Sequence, residues 1–540
     1  MKNCPVMLLA DFYKQSHADL YDKDTQRIYA TWTPRTSRIE GVNKVVVFGF
    51  QWFIKKYLIE NFNENFFNRP KEEVIKEYTR LMKNTIGNEG LGVDRVSALH
   101  DLGYLPLKIT AMEEGSLCPI KVPCLTIENT LPAFYWLPNF LETLMSMEIW
   151  KPMTSATIAL EYRKILEKWA EKTCDDNSHI DFQGHDFSMR GMAGLEACES
   201  SGAGHLLSFK GTDTIPSIVM LENYYNADCE KELIGTSIPA SEHSIMCCNS
   251  AFTNADDETR EYNAYKRIIT EVHPTGIVSI VSDTWNLWDV LTKVLPKLKP
   301  EIMNRDGKLV VRPDSGDPAD IVCGINSKKF FDDYQGKWKP VKELTQEDSP
   351  YYNEINKGVI ELLWETFGGT INEKGYKVLD PHIGCIYGDA ITMERAEEIC
   401  ERLAEKGFAS SNIVFGIGSY TYQMNTRDTF GFALKSTYAI KNNREVFLYK
   451  DPITDNGVKK SQKGRVWVKN NEGLITFQDG FCEGQEPQGN MLEPLFINGE
   501  LLKDRSLSEI RQKLKDSVKE SDENDRWVNS HFMYDLTGAI

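Results

Sequence analysis

No stretch of this chain approaches the roughly 20 apolar residues a membrane-spanning helix needs, so its hydrophobic runs read as core segments. Basic charge is also in deficit: 62 Lys and Arg stand against 79 Asp and Glu, a formal net charge of −17 at pH 7. A general nucleic-acid surface is thereby excluded, because backbone binding needs clustered cations to displace counterions, and any anion site has to be built locally. Twelve cysteines are scattered without a CxxC pair, and only Cys247 and Cys248 are adjacent. Zinc spacing is therefore missing, and the thiols read as small core residues of a reducing compartment. The opening MKNCPVMLLADFYKQSH has only a short apolar stretch, broken by Asp11, without a small-residue cleavage pattern. No signal peptide is expected there, and a cytoplasmic location is. Walker-type phosphate loops, internal repeats and low-complexity tracts are lacking as well.

What is present is a recurring layout. Five apolar runs each end in a burst of acid, arginine or glycine: LLSFKGTD at Asp213, VSIVSD at Asp283, LVVRPDSGDP from Arg312, IGCIYGD at Asp389 and IVFGIGS at Ser419. Val, Ile and Leu without alternation predict strands buried on both faces, which belong to parallel sheets wrapped by helices. In a closed α/β barrel the carboxyl ends of such strands meet on one face, so distant residues can surround one small ligand. Carboxylates, arginines and glycine turns on one rim suit a phosphorylated sugar with a metal ion.

With 540 residues the chain exceeds one barrel of about 250 residues, and two domains are expected. Residues 1–154 mix short strands (NKVVVFGF, PLKITAMEEGS, CLTIENT) with helical stretches such as 51–62 and read as an α/β region. Residues 155–438 alternate strand and helix signals and form the barrel candidate. In TMERAEEICERLAEKGF, for example, Ala396, Ile399, Cys400 and Leu403 fall on one helix face and Gly407 supplies the stop. Residues 326–356 are charged and rich in Tyr and Pro, as a surface insertion would be. Residues 439–540 are expected to pack on the N-terminal region, giving a second α/β domain made of both ends of the chain.

Several segments carry chemistry. In RPDSGDP, Arg312 can grip phosphate in bidentate fashion, and Asp314 can hold ribose hydroxyls or Mg²⁺. A salt-bridged turn is the structural alternative. Gly388, Asp389, Gly418 and Ser419 follow strands directly, where bare backbone N–H groups can approach a phosphate, with Arg427 following. In SIPASEHS, His243 follows Glu242; a histidine there can act as acid, base or nucleophile, or be structural. In HDFSMRG, Phe187 and Arg190 suit a flat heteroaromatic ring beside an anion, although Phe187 also fits a core.

HDFSMRG, FKGTDT, SIPASEHS, VSDTWNLWD, RPDSGDP, IYGDA and FGIG followed by TRD, together with LADFYKQSH and TPRTSR, closely resemble the nicotinamide phosphoribosyltransferase family from residue 8 to 465. The resemblance implies a type II phosphoribosyltransferase barrel, (β/α)8-like, that joins nicotinamide to 5-phosphoribosyl 1-pyrophosphate with Mg²⁺. It implies a homodimer in which nicotinamide stacks between Phe187 and a Tyr13 from the other subunit, with Asp213 accepting the amide N–H. Arg312 and Ser279 would attend the amide oxygen, Asp314 the ribose, and Gly388, Asp389, Gly418 and Ser419 the 5′-phosphate pocket. Arg190 and His243 would face pyrophosphate, with Arg427, Arg35, Lys435 and Lys463 closing the anionic end. Asp283 and Asp314 are the implied metal ligands, with Glu242 a weaker one. ATP would phosphorylate His243, oriented by Asp283. Two departures stand out: Ser419 and Tyr420 replace glycines of the family loop, and Ala433 replaces a serine expected near the phosphate. Nicotinate phosphoribosyltransferase, a silent nucleotide-binding protein and an unrelated sugar-phosphate barrel are the alternatives.

Overall fold

The polar-ended runs form parallel strands that follow one another around a ring. The structure, a computed structural model, describes residues 4–250, 256–325, 330–332, 337–339, 350–450, 461–471 and 473–537. By contacts the chain divides into two units, one of Met1–Thr157, Val219–Glu232 and Asn425–Ile540, the other of Ile158–Ile218 and Leu233–Met424.

The second unit holds β1 (Gly184–Asp186), β2 (Gly211–Thr212), β3 (Thr275–Val281), β4 (Asp306–Arg312), β5 (Ile383–Tyr387) and β6 (Ile413–Ile417). They pair in parallel in the order β2-β1-β6-β5-β4-β3. Both edges then meet the segment 236–241: Gly211 bridges Thr236 and Ser279 bridges Ala240, each in parallel. The Ser279 N–H donates to Pro239 O at 2.9 Å and the Ser241 N–H to Ser279 O at 2.9 Å. The ring therefore closes in chain order as an α/β barrel of seven parallel segments among the described residues. Ile280 and Val281, Leu309, Val310 and Val311, and Cys385, Ile386 and Tyr387 are buried in succession, on both strand faces, which explains runs without alternation.

Helix α1 (Leu195–His205) ends where a strand was expected. The N–H groups of Ser208 and Phe209 bond to His205 O, so LLSF forms the turn that follows the helix and only Gly211 and Thr212 pair in the barrel. Leu206, Leu207 and Phe209 fit either role, and the turn that closes the helix takes them. Helices α2 (His243–Ser250) and α3 (Asp257–Arg267) precede β3, and α4 (Met393–Glu405) joins β5 to β6. In α4, Thr392 caps the Arg395 N–H, Ala396, Ile399, Cys400 and Leu403 are buried, and Gly407 takes φ +75° at the stop, as its spacing predicts. The expected insertion at 326–356 lies largely outside the described residues.

The first unit is built on a seven-stranded antiparallel sheet. Its strands run in the order Arg444–Phe447, Ala433–Lys441, Thr25–Thr33, Leu125–Asn129, Leu107–Ala111, Glu493–Ile497 and Glu500–Leu501. Both ends of the chain thus share one sheet. Strand Ala433–Lys441 departs from the expected boundary: it belongs to this sheet, paired with Thr25–Thr33, and not to the barrel. Trp32 and Phe432 stack at 5.4 Å in its core. Arg465 holds Glu128 through two hydrogen bonds of 2.8 and 3.0 Å, both residues buried. Burial opposes the Glu128 charge, and Arg465 outweighs it, leaving the carboxyl below its usual range. Among the described residues no helix is long and apolar enough to cross a membrane. All twelve cysteines are free thiols.

Candidate active site

Every barrel strand delivers its chemistry at its carboxyl end. β1 leads into Phe187 and Arg190, β2 into Asp213, the closing segment into Glu242 and His243, and β3 into Asp283. β4 ends in Arg312 and Asp314, β5 leads into Gly388 and Asp389, and β6 into Gly418 and Ser419. Parallel strands in a ring place these ends on one face.

Asp213 Oδ1 accepts from His185 Nε2 at 3.0 Å and from the Ser237 hydroxyl. Burial works against its charge, but these two bonds and the nearby Arg312 guanidinium hold the carboxyl below its usual range. The His185 ring in turn meets the Phe187 ring edge-on, 5.0 Å between centroids. Phe187 lies across two glycines: a Cβ at Gly388 would stand 2.7 Å from the ring, and one at Gly416 2.3 Å. Neither position tolerates a side chain without moving the ring. The half-buried Phe187 and the half-exposed Asp213 carboxylate are thus held through one histidine.

On the other side, His243 opens α2, with Nδ1 at 3.2 Å from the Thr284 hydroxyl and Nε2 at 4.0 Å from Asp283 Oδ1. Asp283 Oδ2 accepts from the Asp314 N–H at 3.0 Å and the Ser315 hydroxyl at 2.5 Å. Burial, then the charges of Asp283 and Asp389, push the Asp314 carboxyl up against the pull of Arg312 and His243. These five groups therefore share one electrostatic field. Arg312 Nη2 donates to Ser241 O at 2.6 Å, tying the RPDSGDP turn to the closing segment. Glu242 binds the Ser244 hydroxyl. Ser279 Oγ, Asp283 Oδ1 and Arg312 Nε are buried without a hydrogen bond in the protein, the condition of groups that pair with a ligand.

Asp283 and Asp314 fit a divalent cation: Asp283 Oδ1, buried and facing His243 at 4.0 Å, accepts no hydrogen bond, and Asp314 sits among acids whose repulsion a cation would relieve. Such hard oxygen donors suit Mg²⁺, which keeps several water or phosphate ligands. Among the described residues no group of three or more His, Cys, Asp or Glu side chains forms a metal cage by itself.

Ser419 occupies the space beside Gly191, where a Cβ would come within 2.0 Å of its hydroxyl, so the turn after Arg190 accommodates the serine that departs from the family loop. Arg190 is exposed.

Five expected residues, Tyr13, Arg35, Arg427, Lys435 and Lys463, lie in the first unit, and the Lys463 N–H donates to Asp479 Oδ2 at 3.0 Å. Exposed Tyr13 precedes helix Lys14–Leu20, and Lys435, on Ala433–Lys441, lies 3.5 Å from Glu142. Arg35 Nε donates to Gly431 O at 2.8 Å; burial first, then the Arg427 charge, lowers its basicity. Burial, then Glu142 and Asp11, push the Tyr13 phenol up, and Arg427 opposes them. Arg427 thus acts on both Arg35 and Tyr13, and Glu142 on both Tyr13 and Lys435. The residues that sequence reasoning missed are His185, Ser237 and Ser315. Each stands inside one of the motifs beside a residue of more familiar chemistry, and only its hydrogen bond to Asp213 or Asp283 marks it out.

A model of the nicotinate phosphoribosyltransferase (NAPRTase) family matches residues 182–499, and one of the nicotinamide phosphoribosyltransferase N-terminal domain matches residues 5–109. A nicotinamide phosphoribosyltransferase of Acinetobacter baylyi is 46% identical over 515 residues, covering 93% of this chain and 96% of its own. That of Mycoplasma pneumoniae is 35% identical over 477 residues, covering 85% and 94%. A crystal structure of human nicotinic acid phosphoribosyltransferase covers 95% of this chain and 94% of its own at TM-score 0.53 and 14% identity. The nicotinate-nucleotide pyrophosphorylase of Pyrococcus furiosus covers 97% and 98% at TM-score 0.52 and 15% identity. At such identities the two structures speak for a shared fold.

Barrel, antiparallel domain and rim residues together define a type II phosphoribosyltransferase. Within that class, the chain belongs to the nicotinamide phosphoribosyltransferase family.

Proposed function

We propose that this enzyme transfers the phosphoribosyl group of 5-phosphoribosyl 1-pyrophosphate to nicotinamide in NAD salvage, giving nicotinamide mononucleotide and pyrophosphate, and couples the reaction to ATP hydrolysis through His243. The bond from the anomeric carbon to pyrophosphate breaks, and a bond to the pyridine nitrogen forms through an oxocarbenium-like state. No strong base is required, because the pyridine nitrogen carries no proton; positioning and charge stabilisation are the enzyme's tasks.

The carrying observation is the Phe187–His185–Asp213 arrangement. A pyridine ring stacked on Phe187 can present its carboxamide N–H to an ionised Asp213, whereas the carboxylate of nicotinate would meet like charge there. Tyr13, supplied by the partner subunit of a homodimer, covers the other ring face. Ser279 and Arg312 take the amide oxygen, and Asp314 the ribose hydroxyls. Gly388, Asp389, Gly418 and Ser419 line the 5′-phosphate, while Arg190, Arg35, Arg427 and Lys435 neutralise phosphate and pyrophosphate. Asp283 and Asp314 would hold Mg²⁺, which when bound supplies positive charge to the departing pyrophosphate. Asp283, facing Nε2, would orient His243 so that the other ring nitrogen, Nδ1, beside the Thr284 hydroxyl, accepts the γ-phosphoryl group of ATP with ADP leaving and water later hydrolysing the phosphohistidine; the amino end of α2 is a favourable place for the anion. The enzyme acts in the cytoplasm, without nucleic acid or membrane.

Pyrophosphate release tests this reading. Purified protein mixed with nicotinamide, 5-phosphoribosyl 1-pyrophosphate and Mg²⁺ is expected to release one pyrophosphate per mononucleotide, with loss on chelation. Binding of either substrate without release would refute it.

A further inference from the structure

Asp186 ends β1 and is fully buried, at 0% exposure. A carboxyl is costly to bury unless both oxygens find hydrogen bonds, and Asp186 takes its donors from two different loops. The Ser188 N–H reaches Oδ1 at 2.9 Å, and the Thr214 hydroxyl reaches Oδ2 at 2.8 Å. Its main-chain carbonyl accepts the Asp213 N–H at 2.9 Å. Phe187 stands between Asp186 and Ser188, and Asp213 directly precedes Thr214. One buried side chain therefore ties the loop carrying the aromatic ring to the loop carrying the amide acceptor.

The surroundings are shaped around this carboxyl. A Cβ on Gly202 of α1 would come within 3.1 Å of Asp186 Oδ2 and 2.1 Å of Ser217 Oγ, so the helix approaches it only through glycine. His205, nearby, supplies no counter-charge. Burial holds its imidazole down at about 4 despite the pull of Asp186, and its nitrogens are engaged by Tyr422 and the Gly211 carbonyl. The carboxyl is thus committed to neutral donors on the two loops.

We propose that Asp186 is a positioning residue that sets the separation between the Phe187 ring and the Asp213 carboxylate, and through it the affinity for the amide-bearing pyridine and the rejection of the acid. This rests on the assignment of nicotinamide to the Phe187–Asp213 slot. A flat ligand bound by its face at one residue and by its amide at another requires the two fixed to within about 0.5 Å.

Thr214→Val is nearly isosteric and removes only the hydroxyl bond. Steady-state kinetics of this variant, with Asp186→Asn and Asp213→Asn alongside, separate the outcomes. For Thr214→Val, KM for nicotinamide is expected to rise about tenfold and the nicotinamide-over-nicotinate preference to fall by a similar factor, while KM for 5-phosphoribosyl 1-pyrophosphate stays within about twofold. Asp186→Asn keeps an acceptor for Ser188 and is expected to show a smaller effect in the same direction. A role confined to stability would lower the active fraction, hence kcat, with KM and preference unchanged; that result in either soluble variant overturns the proposal. If Asp213→Asn itself leaves the preference intact, the nicotinamide assignment fails. If Asp213→Asn removes the preference and Thr214→Val does not, the role of Asp186 alone fails.

Discussion

His243 Nε2 lies 4.0 Å from Asp283 Oδ1, while the second Asp283 oxygen is committed to the Asp314 N–H and the Ser315 hydroxyl. The histidine is half-exposed and the aspartate buried, at side-chain exposures of 49% and 6%, so a fixed acid faces an accessible imidazole. His243→Ala is expected to abolish ATP hydrolysis and any ATP stimulation of synthesis, while ATP-independent synthesis falls less than about tenfold. Asp283→Asn should reduce both, because it also serves the proposed cation. Parallel assays of phosphate release and mononucleotide formation check this, and unchanged ATP hydrolysis in His243→Ala would contradict it.

Gly416 and Gly388 give Phe187 its place. Gly416→Ala puts a methyl group 2.3 Å from the ring, which must move. A loss of about 1–3 kcal/mol in nicotinamide binding is expected, and a titration calorimeter reads it as a rise in Kd of roughly 5- to 140-fold. Phe187→Leu should weaken binding by a similar amount without disturbing the neighbouring strand pairs.

Glu261 on α3 is buried, and burial, followed by the charges of Asp257, Asp289 and Asp283, pushes its carboxyl up to about 8 from the ordinary 4.5. The folded state therefore holds a proton that the unfolded chain releases. Its contribution to stability is present below pH 4.5 and declines as pH rises towards 8. Glu261→Gln is expected to flatten that decline. Urea midpoints between pH 5 and 8 provide the check, and parallel curves for the two proteins would contradict it.

Arg465 and Glu128 join strands from opposite ends of the chain. Removing one partner leaves a buried charge, so Glu128→Gln or Arg465→Met is expected to cost about 3–5 kcal/mol, visible as a lowered Tm. The double substitution should cost less than the sum of the two single ones.

The barrel was legible because strands buried on both faces leave apolar runs, and Asp283, Arg312, Asp314, Asp389 and Ser419 stand at or just after their carboxyl ends. The closing segment 236–241 has no apolar run, since it pairs through only a few residues, and nothing local announced it as barrel wall. Pairing of Thr25–Thr33 with Ala433–Lys441 spans most of the chain, and hydrophobic periodicity does not encode a partner at that distance. Asp186 and His185 were hidden for another reason. They occupy adjacent positions of a three-residue strand, and their importance lies in what each side chain binds across to the next strand's loop.

The selectivity of Asp213 is the centre of the account. Purified enzyme supplied with 5-phosphoribosyl 1-pyrophosphate and Mg²⁺ is given nicotinamide or nicotinate, with and without ATP, and mononucleotide is counted. Nicotinamide is expected to exceed nicotinate in kcat/KM by at least about a hundredfold, with Asp213→Asn closing most of the gap. Faster consumption of nicotinate than nicotinamide by the unaltered enzyme would contradict the account.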